Sequence, residues 1–534
     1  MCLAVVTLAG LIPCLVKLRH PGAPMEDAAM LLRYSEHLAQ GHGITWNVGE
    51  HPVEGATDFL YMVAIAAVAF VARIGVIQAS RTILVVSIVL LPPVIFLATR
   101  CWRGANLWLR LAVSLFMAAL PSVLFLSTCF GAPFMALAVA LAWGMANRLM
   151  FVERGLKWVF GFAGVSLFCG LIRPEGVILA LLMLISVIYV RRREATQVVL
   201  ASLSVFLSLG LIYFLWRWHY FGFILPNAFY VKGGGHIYWD GFRLSCVNMV
   251  KLTWPVLLMG CLAVRSKAAT QRLVAMLIPL AGFTAIWIFL SAANNHQMRF
   301  QYPLVPLALI SAPGLVNGLA NDLHLPAFSS LSRSSRTAII TLLCMSFLVA
   351  TTAVYRSFSP PDMPSSGTTL PVFLSKYASR GYTMATTEAG QFPFYSKWNA
   401  IDTLGLNDAY IAHHGLSEAY LDRYKPELLL YHTHQVVAGP SGGASDAVIL
   451  ASDELGQAGR IMQSYALHHS YTLAAAYGDS VCNLHFFWIK NDSQDSEQLI
   501  KLIRDTPYYF LDSGRLSTDY REHIPAWDCF AGSR

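Results

Sequence analysis

Charge is what this 534-residue chain has least of: Asp, Glu, Lys and Arg make up 13% of it, against 56% hydrophobic residues. Soluble domains carry about 25% charged residues, so the composition excludes a soluble fold and implies a polytopic membrane protein. The mean hydropathy of +0.53 agrees. The chain also lacks internal repeats and long low-complexity tracts. It lacks a cysteine framework, because most of its 10 Cys residues are scattered through apolar segments, where Cys behaves as a small hydrophobe. Only Cys482 and Cys529 lie in the polar C-terminal region, where an oxidising compartment would allow them one disulfide. The net charge of +8 implies no nucleic-acid partner, since the basic residues form short groups between apolar stretches, as orientation signals do. Metal-ligand spacing is missing as well: neither His413-His414 nor His432-Thr433-His434 has it.

What is present is a succession of apolar stretches near residues 2–16, 59–76, 82–99, 107–127, 132–147, 158–171, 176–190, 197–215, 252–264, 273–291, 302–319 and 337–354. The first has no basic residue before it and reads as a span, not as a cleaved signal peptide. Five basic groups separate the stretches: Arg100, Arg103 and Arg110; Arg148, Arg154 and Lys157; Arg191, Arg192 and Arg193; Arg265, Lys267 and Arg272; Arg333 and Arg336. All five fall on the cytoplasmic side only if one early stretch does not cross. The best candidate is 59–76, which is bounded by Asp58 and Arg81 and contains Arg73. As a juxtamembrane or re-entrant helix it leaves about eleven spans, with the N-terminus inside and the C-terminus outside. The connections 17–58, 172–176, 216–250 and 294–299 then share the outer face. After Val354 a Ser, Pro and Gly linker leads into a soluble region running to Arg534. There, runs such as Leu428–Tyr431 and Phe486–Ile489 read as strands between helical segments. The expected architecture is an α-helical polytopic membrane domain over 1–354 and a C-terminal extracytoplasmic α/β domain over 355–534.

The polar segment from Pro21 to Thr57 holds five carboxylates, an arginine and several histidines beside the first span. Ionisable groups near a bilayer usually mark a site. Met25 to Gln40 reads as a helix stopped by Gly41, with Asp27 and Tyr34 on one face and Glu26 and Arg33 on the adjacent one. Two acids at a helix N-terminus also complement its dipole, so Glu26 is open to a structural reading.

These residues carry a resemblance. Glu26-Asp27-Ala28, Arg33-Tyr34, Gly41-His42-Gly43, Trp46-Asn47 and Glu54-Gly55-Ala56-Thr57-Asp58-Phe59-Leu60 together resemble the first periplasmic loop of GT-C polyprenyl-phosphate-dependent glycosyltransferases. Further matches are Arg173-Pro174-Glu175-Gly176, Leu225 to Tyr230 with Lys232, Arg299-Phe300 before Pro303, and Asp402 to Asp408. The chain is most similar to the terminal arabinofuranosyltransferase (AftB-like) branch. It departs from the pattern at Asp58, where the family has Asn, and in the turn from Ser127 to Pro133, which lacks an expected acid.

The resemblance implies a multi-pass enzyme of the inner (plasma) membrane that transfers a sugar from a polyprenyl-monophosphate donor. The acceptor would be a glycan, lipid or protein on the extracytoplasmic side. Asp27 matches the family's catalytic carboxylate, with Glu26 beside it as a second catalytic candidate. Arg173, Lys232 and Arg299 are the cations expected at the leaving phosphate, with Arg33 as a further candidate; Tyr34, His42, Trp46, Asn47, Glu54, Asp58, Asn227 and Tyr230 complete the expected substrate-binding set. Trp46, Tyr230, Tyr395 and Trp398 have rings able to stack on sugars, although interfacial belts use the same residues. A monophosphate donor requires no metal cofactor; a divalent metal is possible but nothing indicates one. The alternative is a polytopic lipid or sugar transporter or flippase, which would place ionisable groups near mid-span.

Overall fold

The computed structural model describes residues 1–102, 104–153, 155–232, 236–264, 266–322, 369–437, 445–480 and 483–506. The apolar stretch 337–354, the linker after it, the domain boundary near 354, Cys482, Cys529, Arg103, Arg154, Arg265, Arg333 and Arg336 lie outside these.

The apolar stretches form a helical bundle. Among the described residues seven helical stretches are long and apolar enough to cross a membrane: 76–101, 107–128, 132–151, 175–221, 239–263, 267–289 and 296–319. Cys2–Lys17, Phe59–Ala72 and Leu156–Ile172 are shorter apolar helices. The stretch 175–221 is not one rod. Arg192 sits at φ 53, ψ −123, a conformation no helix contains, so the chain turns after Glu175–Arg191 and a second helical segment follows from Thr196. Helix Phe59–Ala72 has 14 residues, about 21 Å of rise against a hydrocarbon core of about 30 Å. It buries Tyr61, Met62 and Ile65 among the bundle helices and ends where Arg73 turns left-handed. The segment 216–250, expected as a connection, is largely helical: one helix runs to Phe221, a short one spans Asn227–Lys232, and another starts at Trp239. The polar residues that suggested a loop there are the ends of helices.

The C-terminal region carries a five-stranded sheet. Strands β1 (Thr383–Thr386), β2 (Asn399–Asp402) and β3 (Leu428–His434) pair in parallel, with β1 in the middle. A two-stranded ribbon of β4 (Val436–Val437) and β5 (Val448–Ile449) follows. Strands β6 (Tyr471–Ser480) and β7 (Asn483–Lys490) return antiparallel, completing the order β2-β1-β3-β7-β6. Both expected strand runs are present and are neighbours, with Leu428 opposite Ile489 and Leu430 opposite Phe487. Alternation divides their side chains between two faces. Leu429, Tyr431, Phe486 and Trp488 pack with Met462 and Tyr465 of helix Glu454–His468. Leu428, Leu430, Phe487 and Ile489 instead join the core that continues into the helical bundle.

Candidate active site

Helix Glu26–Ala39 forms where the sequence predicts it, with Glu26 and Asp27 in its first turn and Gly41 just past its end at φ +86. Asp27 Oδ2 accepts a hydrogen bond from Arg299 Nη2 at 2.6 Å. The Arg299 side chain is only 10% exposed but that of Asp27 is 30% exposed, so the carboxylate is the member of the pair open to a substrate. Burial acts to raise the Asp27 carboxyl, yet the charges of Arg299, Lys232 and His296 outweigh it and hold the group well below the usual range. Asp27 is therefore ionised at neutral pH. The turn presenting Arg299 puts Gln297 and Met298 both at φ 55, a left-handed conformation costing about 1–3 kcal/mol per residue. Strain of this kind persists where the surrounding structure enforces it. Here Arg299 is fixed by the Asn294 carbonyl and by the rings of Phe130 and Phe300, at 4.4 and 5.0 Å.

Arg173 approaches the same Phe300 ring at 5.1 Å. Its Nη1 donates to Asp58 at 2.6 Å and its Nε to Glu175 at 2.5 Å, so two carboxylates orient the guanidinium. Asp58 also lies within the field of Arg299. The other face-to-face neighbour of Phe300 is Trp287, stacked at 4.0 Å. Lys232 ends the helix Asn227–Lys232, and its charge reaches Asp27. Asp27, Arg299, Arg173 and Lys232 thus form one cluster at the bundle end nearest the C-terminal sheet.

The remaining loop residues hold that end together. Glu26 and Arg33 share a face as expected but do not pair. The Glu26 carboxylate accepts from the amides of Gly390 and Gln391, while burial and the nearby Glu388 push its carboxyl up. The main chain comes so close here that a Cβ on Gly390 would lie 2.0 Å from the Glu26 carbonyl oxygen. Arg33 is 3% exposed and donates to the carbonyls of Trp46, Pro393 and Trp398 and to Asn47 Oδ1. Those acceptors correct its assignment as a phosphate ligand: Arg33 clamps the loop to the C-terminal domain. Trp46 is likewise buried, donating from Nε1 to Ala400, and Trp398 is buried under Leu374, so neither ring is open to a sugar. Tyr34 is fully buried against Trp46 and Gly55, not beside the Asp27 carboxylate.

Asn47 completes the edge of the sheet. Its Oδ1 accepts from Ala400 N and its Nδ2 donates to Ala400 O, so one side-chain amide pairs with edge strand β2 as a neighbouring strand would. Asn47→Leu is expected to destabilise the protein by about 1–3 kcal/mol, because Ala400 N loses its acceptor while Ala400 O keeps Trp46 Nε1. A denaturation midpoint equal to wild type would show that this edge carries no such load.

Glu54 lies beside Arg217, with Nε to Oε1 at 2.7 Å and Nη2 to Oε2 at 2.5 Å. The Glu54 carbonyl accepts from Asn227 N, and Asn227 Nδ2 donates to Gly405 and Leu406. Both residues therefore position the helix that carries Lys232, and neither contacts Asp27. Tyr230 packs on His413 at 4.5 Å. His42 sits exposed at the loop tip beside His37, and no contact joins it to Asp27. Sequence reasoning overlooked Arg217, although a cation inside the run Trp216 to Tyr220 is a recognisable signal for a buried partner.

Residues 365–495 match a domain of unknown function, DUF8728. No curated protein sequence matches the chain. Among solved structures, ArnT from Cupriavidus metallidurans bound to undecaprenyl phosphate superposes with a TM-score of 0.58 at 12% identity, covering 91% of this chain and 97% of that one. Its apo form gives 0.59 at 13% identity, with the same coverage. The oligosaccharyltransferase AglB from Archaeoglobus fulgidus, in complex with an inhibitory peptide and a dolichol-phosphate, gives 0.53 at 12% identity over 90% of this chain and 79% of that chain. The fold is the GT-C fold. The described residues form a multi-pass helical domain with a mixed sheet in the C-terminal region.

Proposed function

We propose that this GT-C protein is an inverting glycosyltransferase that takes a sugar from a polyprenyl-monophosphate donor. The observation that carries the reading is the partly exposed Asp27 carboxylate hydrogen-bonded to Arg299, with Arg173 on the same Phe300 ring and the charge of Lys232 reaching Asp27. The similar structures, bound to undecaprenyl phosphate and to dolichol-phosphate, support a lipid-linked donor of this class. In the reaction the acceptor hydroxyl oxygen bonds to the anomeric carbon and its proton passes to Asp27. The anomeric C–O bond breaks, and its electron pair leaves with the polyprenyl phosphate. Negative charge grows on that phosphate, and in this reading Arg299, Arg173 and Lys232 stabilise it. The chemistry at the phosphate is assigned to side chains, without a metal. A carboxylate paired with Arg299 is a weaker base than a free one, and a donor phosphate that competes for the Arg299 guanidinium would weaken that pairing without moving the arginine from its place. Donor binding would then switch on the base.

The AftB-like motifs favour arabinofuranose as the sugar, with another pentose or a hexose as the wider class, and a cell-envelope glycan, lipid or protein as acceptor. In this reading the membrane is the plasma membrane, with the C-terminal domain on the extracytoplasmic side. The transporter alternative receives no support from the cluster, which sits at helix ends.

The test is transfer by the purified protein from a polyprenyl-phosphate-linked pentose or hexose, read as released polyprenyl phosphate. No release from any such donor would refute the reading. Arg299→Lys and Arg173→Lys keep the charge but lose the guanidinium geometry, which in Arg299 would grip phosphate oxygens and in Arg173 also holds Asp58 and Glu175. Losing one charge-assisted hydrogen bond, worth about 1.5–3 kcal/mol, should weaken polyprenyl phosphate binding by roughly tenfold or more. If both Lys variants bind the lipid like wild type, the phosphate lies elsewhere.

A further inference from the structure

The central strands of the C-terminal sheet place two histidines opposite each other, His432 on β3 and His485 on β7. Their rings stack at 4.4 Å, 3° from parallel. They point to the face shared with Leu430 and Phe487, the side that meets the membrane bundle. Glu388, in the turn after β1, reaches both: its Oε1 lies 3.5 Å from His432 Nδ1 and 3.4 Å from His485 Nε2. All three residues are buried, and their ligand atoms lie within 4.8 Å of one another. Charge-assisted hydrogen bonds run at about 2.7–2.9 Å, so these spacings are long for ion pairing. The two nitrogen–oxygen spacings suit another geometry, one reached when the rings turn out of their parallel stack so that both lone pairs meet at one ion. Nitrogen and oxygen ligands held about 2.0–2.1 Å from a tetrahedral zinc stand about 3.3–3.4 Å apart along the tetrahedron's edge.

We propose that Glu388, His432 and His485 bind a first-row divalent cation of the zinc type, through one carboxylate oxygen, Nδ1 and Nε2. Two imidazoles and a carboxylate are a suitable donor set for such an ion. The three ligands are different residues from those of the phosphate cluster, and the inference does not depend on the glycosyltransferase reading. Its consequence is structural. Glu388 is followed two and three residues on by Gly390 and Gln391, whose amides bind Glu26, the neighbour of Asp27. A bound cation would brace this segment against the sheet and so fix the first turn of the loop helix. The pairing joins residues far apart in sequence, which is why the local run His432-Thr433-His434 gave no ligand spacing. His434 turns instead to Asp453, at 3.3 Å.

Full-length protein, purified in detergent and stripped with a chelator, should take up one equivalent of Zn²⁺ by elemental analysis. With Co²⁺ it should show the visible ligand-field absorption of a tetrahedral site. Zn²⁺ should raise the unfolding temperature of wild type. His432→Gln and Glu388→Gln should weaken binding by more than about 100-fold, beyond the 10–100-fold of an outer-shell change, while His434→Gln leaves it intact. His432 is the least buried ligand, which favours a folded variant, and the wild-type measurement needs no variant. Wild type without stoichiometric Zn²⁺ or Co²⁺, or a His432→Gln protein that retains it, would overturn the site.

Discussion

Asp27→Asn is expected to lower sugar transfer by roughly 10²–10⁴-fold, the range for loss of a general base. It should also tighten binding of polyprenyl phosphate. The two effects have one origin: Asp27 and the lipid phosphate compete for Arg299, whose Nη2 lies 2.6 Å from Asp27. Asparagine is nearly isosteric and keeps a side-chain oxygen for that donor, so membrane insertion and folding should survive. It removes the charge, and Arg299 then has only the phosphate as an anionic partner in this pair. A merely structural Asp27–Arg299 bridge predicts otherwise, with lower stability and weaker or unchanged lipid binding. Near-normal transfer by the variant would remove Asp27 from the chemistry altogether.

Much of the frame could be read from local pattern. The loop helix was legible because its acids, apolar positions and terminating Gly41 are close in sequence. Strands β3 and β7 were legible because apolar runs of four residues are too short for buried helices. The cluster at Asp27 needed more. Arg299, Arg173 and Lys232 come from separate connections, and only the resemblance together with the inferred orientation placed them on one face. Arg33 shows where reading stops. A phosphate-binding arginine and one saturated by carbonyls look the same in a sequence, and the acceptors from Pro393 and Trp398 belong to a distant part of the chain. Trp46 was ambiguous for the same reason: its use as a hydrogen-bonded wedge depends on Ala400. The stretch 216–250 misled because helices protruding from a bundle carry polar ends, which resemble loops in hydropathy.

Breaking the Glu54–Arg217 pair should produce the largest loss of stability. Both side chains are below 10% exposure, and the contact uses two nitrogens and two oxygens. Removing one partner of such a pair leaves a buried charge without compensation, at about 3–5 kcal/mol. Arg217→Met should therefore lower the unfolding midpoint sharply, and Glu54→Leu should do the same. The double variant is expected to recover much of the loss, because an apolar pair of similar volume avoids desolvating either charge. Recovery of stability need not restore function. The Glu54 carbonyl still receives Asn227 N, but the side-chain link between the loop and helix Leu211–Phe221 is gone. If this link positions Lys232, the double variant should fold well yet bind polyprenyl phosphate less tightly than wild type. Chemical denaturation of the four proteins, with lipid binding measured on each, separates the two contributions. Single variants that lose less than about 1 kcal/mol would show that water reaches the pair, and that the loop is held chiefly by Arg33 and Asn47.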